Sequence, residues 1–244
     1  MAANESLDLR LSERRLFAAV AAVFALVVLA GFARTYYLKF AFGTPPLPGL
    51  LVHLHGLLMT AWVVFFIAQI WLIRSKRHAV HMRNGIIGIV LATAMTVVGF
   101  FTAVAAAKNG SAATPAGIPP LAFLSVPLFD IALFALFFGA ALHYRKQPAN
   151  HKRLLLLTVL NFLPPAIARI PITSLQAFGP LYFFGVPTVL AIGLLIYDTR
   201  KNGKLNRVLL AGSLLLIASY PLRIMLSTTE AWMRFATWLT TRAA

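Results

Sequence analysis

Seven apolar stretches, each about 18 to 24 residues long and nearly free of charge, dominate this 244-residue chain. They run from about Leu16 to Ala33, Leu50 to Ile73, Gly85 to Ala107, Leu121 to Leu142, Leu154 to Ile172, Pro180 to Tyr197 and Val208 to Leu226. A helix needs about 20 residues to cross a hydrocarbon core of about 30 Å. In lipid the backbone has no water to bond to, so such stretches must form helices and bond internally. The pattern predicts an all-α polytopic membrane protein, a seven-transmembrane-helix bundle making one membrane domain over residues 1–244.

Composition agrees. The chain is 60% hydrophobic and 11% charged, whereas soluble domains run near about 45–50% and about 25%. Too few polar residues remain to cover a water-facing surface, and the apolar fraction excludes disorder. The absence of cysteine removes disulfides, thiolate metal sites and cysteine nucleophiles together.

The formal charge of +16 has to be located before its sign is read. Arg10, Arg14 and Arg15 precede the first stretch. Arg74, Lys76, Arg77 and Arg83 join the second to the third; Arg145, Lys146, Lys152 and Arg153 join the fourth to the fifth. Arg200, Lys201, Lys204 and Arg207 join the sixth to the seventh. Seven crossings place all fifteen on one face, against Arg34, Lys39, Lys108, Arg234 and Arg242 on the other. Basic loops stay inside, so the sequence predicts a bacterial inner-membrane protein with a cytoplasmic N-terminus and a periplasmic C-terminus. The charge is then topogenic, and membrane lipids rather than nucleic acid are the expected partner. Gly31-Phe32-Ala33 resembles a cleavage site, but the run before it exceeds the usual signal length, so the first stretch reads as a retained helix. The tail from Glu230 to Arg242, with Trp232, Phe235, Ala236, Trp238 and Leu239 on one face, reads as a short interfacial helix.

Only Asp130, Arg169 and Arg223 bring charge into the stretches. Charge in lipid is costly, so each is a candidate functional residue. Counted along the helices, Asp130 lies ~13 Å below the outer surface, and Arg169 and Arg223 lie ~24 Å from the inner one. His53 and His55 open the second helix and Tyr182 the sixth, all on that outer side. Pro127, Pro164, Pro165, Pro187 and Pro221 sit in or near the same layer, each freeing a carbonyl that needs another donor. One reading is structural: arginines and water serve those carbonyls, and Asp130 pairs with an arginine. The other is a pocket lined by broken helices, as at transporter midplanes. Its two cations and single acid favour an anionic ligand, such as a carboxylate, phosphate or haem propionate.

His53 and His55 lie about 200° apart around a helix and cannot share a ligand from a regular one. His55 continues along its face as Met59, Trp62, Phe66 and Gln69; His53 continues as Gly56 and Thr60, a small-residue face suited to close packing. Haem between two histidines needs them at matched depth on separate helices. His81 with His143 is one such pair; a single axial ligand from His53 or His55, with propionates on Arg169 or Arg223, is the other arrangement. No dedicated metal set, phosphate loop, dinucleotide fingerprint or nucleophile elbow is present. Gly85, Gly88, Ala92, Thr96, Gly99 and Ala103 recur at helical spacing and predict a buried central third helix, with a homo-oligomer contact as the second reading.

Several strings together resemble a group of uncharacterised bacterial seven-helix membrane proteins. They are His53-Leu54-His55-Gly56 with Trp62 and Gln69, His81-Met82-Arg83-Asn84-Gly85, His151-Lys152-Arg153 with Pro164, Pro165, Ala166 and Arg169, Tyr197-Asp198, and Pro221-Leu222-Arg223. The resemblance covers about residues 50 to 235 and departs from the pattern at Met82-Arg83-Asn84. It implies the seven-helix fold and supplies no activity. A more distant analogy runs to membrane families linked to cytochrome oxidase assembly.

The expected site is therefore a pocket in the outer half of the bilayer, built from His53, His55, Asp130, Arg169 and Arg223 and lined by Trp62 and Tyr182. In it the arginines hold a small anion, Asp130 fixes one arginine, and a histidine adds a hydrogen bond or a metal bond. No catalytic residue is assigned. Two competing expectations are a haem-bearing electron carrier or oxidase-assembly factor, and a non-catalytic subunit or scaffold with protein partners in a larger membrane complex.

Overall fold

The computed structural model describes residues 2–111, 114–115 and 117–242, with side chains from Arg15 onward, so Arg10 and Arg14 of the basic N-terminal segment lie outside the described side chains. Every regular element among the described residues is helical: α1 (Ala2–Phe32), α2 (Leu50–Arg74), α3 (His78–Asn109), α4 (Pro120–Phe123), α5 (Ser125–His143), α6 (Pro148–Asn161), α7 (Leu163–Ile167), α8 (Thr173–Gln176), α9 (Pro180–Asn202), α10 (Arg207–Ser227) and α11 (Glu230–Arg242). Six stretches are long and apolar enough to cross a membrane: Arg15–Tyr37, Leu50–Arg74, His78–Asn109, Pro120–Lys146, Pro180–Asn202 and Arg207–Ser227. The chain is a multi-pass membrane protein.

The fifth predicted span is corrected. Residues 154–172 do not form one helix; α6 begins earlier, at Pro148, and ends at Asn161. Pro164 and Pro165 have no N–H for the carbonyls of Leu160 and Asn161, so the ladder fails there. Phe162 closes a tighter turn onto Val159, α7 adds five residues, and the chain leaves helical geometry before Ile172. Pro127 likewise separates α4 from α5 at Leu124. Pro187 and Pro221 are absorbed within α9 and α10.

α6 is the enclosed element. Leu154, Leu156, Leu157, Thr158, Val159, Leu160 and Asn161 are all buried, against α5, α9 and α10. This corrects the expectation for the third helix, since α3 leaves Ile86, Ile87, Val90 and Val97 exposed. Its small residues do work as a packing face, with Phe65 over Gly88 and Ile131 over Gly99. The first turn of α6 meets the basic loops: Asn206 Nδ2 donates to Asn150 Oδ1 at 2.9 Å while Asn206 caps α10 through Leu209 N. The far end of α7 meets the far end of α1, where the Ala166 backbone occupies the space a Cβ on Gly31 would need. α11 packs onto α3 and α4, with Trp232 Nε1 donating to Leu121 O at 2.9 Å, and leaves Phe235 and Trp238 exposed.

Candidate functional site

Lipid offers no hydrophobic drive for helices to associate, so polar groups between them act as specific links. One of them joins α5 to α10. Arg223 is fully buried and its Nη1 lies 2.5 Å from Asp130 Oδ1. Its Nε donates to Ser219 O at 3.2 Å and its Nη2 to Ser219 Oγ at 3.0 Å, while Nη1 also reaches Val126 O at 3.4 Å. The rings of Phe129, Phe184 and Tyr220 lie 5.2–5.4 Å from the guanidinium carbon. Asn161 of α6 donates to the Asp130 carbonyl at 2.8 Å, bringing the central helix into the same knot. With an acceptor on each of its three nitrogens and its charge matched by Asp130, buried Arg223 is committed to this knot rather than to an outside anion.

Arg169 stands apart from that knot. It follows α7, donates through Nη1 to Pro165 O at 2.7 Å and covers the Phe32 ring at 4.9 Å. The three acidic side chains among the described residues are each taken by another arginine: Asp130 by Arg223, Asp198 by Arg153 and Glu230 by Arg234. Half-buried Arg169 has no carboxylate in ion-pair reach among the described residues. His55, also half-buried, lies within electrostatic reach of the Arg169 guanidinium.

The other predicted residues fall elsewhere. His53 is exposed, and its carbonyl accepts from Tyr36 Oη at 3.3 Å. The small face beyond it packs as its composition implies: Tyr36 covers Gly56, and Tyr37 Oη lies 3.0 Å from Thr60 Oγ1. Trp62, 1% exposed, sits edge-on against Phe134 and Phe138 at 5.1 and 5.4 Å, with its indole N–H buried and unpartnered. Tyr182 is half-buried against the main core. The outer layer thus resolves into a saturated ion pair, an aromatic cluster and the Arg169–His55 edge.

At the basic end, His81 Nδ1 lies 2.5 Å from Gln69 Oε1, and His151, rather than His143, is the histidine from another helix that reaches it electrostatically. His143 is exposed, edge-on to the Tyr144 ring at 5.0 Å. Among the described residues no group of three or more histidine or acidic side chains is placed to hold a metal ion.

Sequence reasoning missed a second buried ion pair, Arg153 of α6 with Asp198 of α9, at 2.6 Å from Nη2 and 3.0 Å from Nε to the same Oδ1. Asn202 adds a donor to that oxygen at 3.1 Å. Arg153 reads as a loop cation because the apolar run begins only at Leu154, six residues after the helix does. The available signal was Pro148, a favoured first helical residue that carries Arg153 inside the helix. No family model, curated protein or solved structure matches the chain.

Proposed function

We propose that the chain crosses a bacterial inner membrane seven times, with α6 and α7 as the fifth passage and the basic loops in the cytoplasm, and that it binds a small anionic group near the periplasmic end at Arg169 and His55. The observation that carries this reading is the acid ledger: three described carboxylates serve other arginines and leave Arg169 without one. A guanidinium held over Phe32, with the His55 imidazole in electrostatic reach, suits a carboxylate or phosphate through paired N–H donors. The Asp130–Arg223 pair is a strut between α5 and α10 and takes no part in holding the anion. α11, amphipathic and with Phe235 and Trp238 exposed, lies along the membrane interface.

The test is calorimetric titration of the detergent-purified protein with inorganic phosphate and with a short dicarboxylate. Mass spectrometry of small anions that copurify accompanies it. The expected result is measurable binding that weakens about tenfold to a hundredfold in Arg169→Ala, the range for losing a charged hydrogen-bond partner. Arg169→Lys retains part of it, lacking only the fork. Equal binding by wild type and Arg169→Ala rejects the site.

A further inference from the structure

α9 turns one face to the bundle, through Phe184, Pro187, Ala191 and Asp198, and leaves the opposite face to lipid. On that outer face, at the basic end, lies a shallow groove of about 470 Å³ lined by Gly193, Ile196, Tyr197, Arg200 and Lys201. Steps of three and four residues put all five on one stripe of the helix. Gly193 makes the notch, since a Cβ there would meet nothing. Ile196 and Tyr197 are exposed and form the middle. At the far end Arg200 is exposed, and Lys201 places Nζ 5.6 Å from the centre of the Tyr197 ring. Asp198, the one acid of α9, is buried on the bundle side and paired with Arg153, so no carboxylate of this helix competes for the groove.

Cations in the last turn of a helix also match its dipole, and a basic loop needs no ligand to do so. That account leaves the groove itself unexplained. A second groove of about 420 Å³ lies farther along α9, with Leu181, Gly185, Val186 and Val189 in its wall, and no charged residue lines it. Hollows on this helix are therefore not basic as a rule. Lys201 lies eight residues beyond Gly193, about 12 Å along the axis, which fits within the ~15 Å of one leaflet. An apolar hollow of that length, closed by two adjacent cations where α9 leaves its apolar stretch, matches an amphiphile with a negative head. A second copy of the chain fits worse. Inserted in the same sense, it would bring its own Arg200 and Lys201 to the same depth, like charge against like. We propose that this groove binds an anionic phospholipid, with its phosphate held by Arg200 and Lys201 and an acyl chain along Ile196 and Gly193. The chemistry is the same in either leaflet, so the site does not depend on which side the basic loops face.

Native mass spectrometry of the full-length, delipidated protein in mild detergent tests this, after addition of phosphatidylglycerol or of phosphatidylcholine with the same acyl chains. The wild type should retain one phosphatidylglycerol at concentrations where it retains no phosphatidylcholine. Arg200→Ala and Lys201→Ala should each weaken that retention about fivefold. Gly193→Leu fills the notch and leaves every charge in place; it should abolish retention while the protein melts as the wild type does. Lys204→Ala with Arg207→Ala, which removes basic neighbours outside the groove, should leave retention unchanged. Equal retention of the two lipids overturns the inference, and so does an equal loss in the Lys204 and Arg207 variant, since either means diffuse attraction to basic loops. Retention that survives Gly193→Leu, or that equimolar inorganic phosphate displaces, overturns it as well, because the acyl chain is then not held.

Discussion

A guanidinium with no exposed surface in the middle of a helical bundle persists when each of its nitrogens finds an acceptor and its charge is matched, and Arg223 meets both conditions. Removing one member of such a pair leaves a bare buried charge and costs about 3–5 kcal/mol, whereas replacing both by apolar residues is often close to neutral. Asp130→Asn and Arg223→Met should therefore each lower the thermal midpoint in detergent sharply, and Asp130→Leu with Arg223→Met should recover most of the loss. A double variant no better than the singles would show that the pair does more than brace α5 against α10. Trp62 offers a second test. Its indole N–H is buried without a partner, so Trp62→Phe, which removes that donor and keeps a ring, should cost under about 1.5 kcal/mol, while Trp62→Ala should cost about 3–5 kcal/mol. At this scale the sequence marked Asp130, Arg169 and Arg223 as costly residues, because charge inside an apolar run is visible without coordinates. It did not separate the two arginines, since both follow prolines on helices of the same sense.

Among the elements, the broken segment α6–α7 organises the rest. Its first half is bound to α5, α9 and α10, and its second half rests on α1 at a contact that tolerates no side chain on Gly31. Gly31→Ala sets a Cβ against backbone of Ala166, which cannot swing aside as a side chain would, so it should destabilise the protein by about 1–3 kcal/mol. Gly193→Ala on α9, where a Cβ meets nothing, should instead be neutral or stabilising by up to about 1 kcal/mol through helix propensity. Paired thermal melts decide the matter; equal effects would mean that the α1–α7 contact is not tight. The proline pair that breaks this segment was readable in advance, yet Pro148 starts the helix six residues before the apolar run and so draws Arg153 from the loop ledger into a buried pair. A hydropathy window cannot anticipate that, because Arg153 looks identical whether it caps a loop or meets Asp198.

Over the whole molecule, the basic loops gather at one end and the Arg169 edge lies at the other. Reporter fusions test the sidedness directly. Alkaline phosphatase fused after Lys76 or Gly203 should be inactive, and fused after Asn109 it should be active. A fusion after Gly179 isolates the fifth passage, being active only if α6 and α7 carry the chain across. Inactivity there would return the protein to six crossings and place Arg169 on the basic side. The same experiment decides whether an anion reaches Arg169 from outside the cell.

Hydropathy and residue type are properties of neighbouring residues, and they were enough to determine an all-helical membrane chain and its polar outliers, while of the prolines inside the apolar stretches only Pro127 and the Pro164-Pro165 pair fall at helix breaks. Which partner each outlier takes is another kind of information. Asp130 and Arg223 meet across 93 positions of sequence, and His81 meets Gln69 rather than His143, through the rotation and axial shift of whole helices. Those two degrees of freedom leave every local pattern unchanged, so only the packed bundle could decide them.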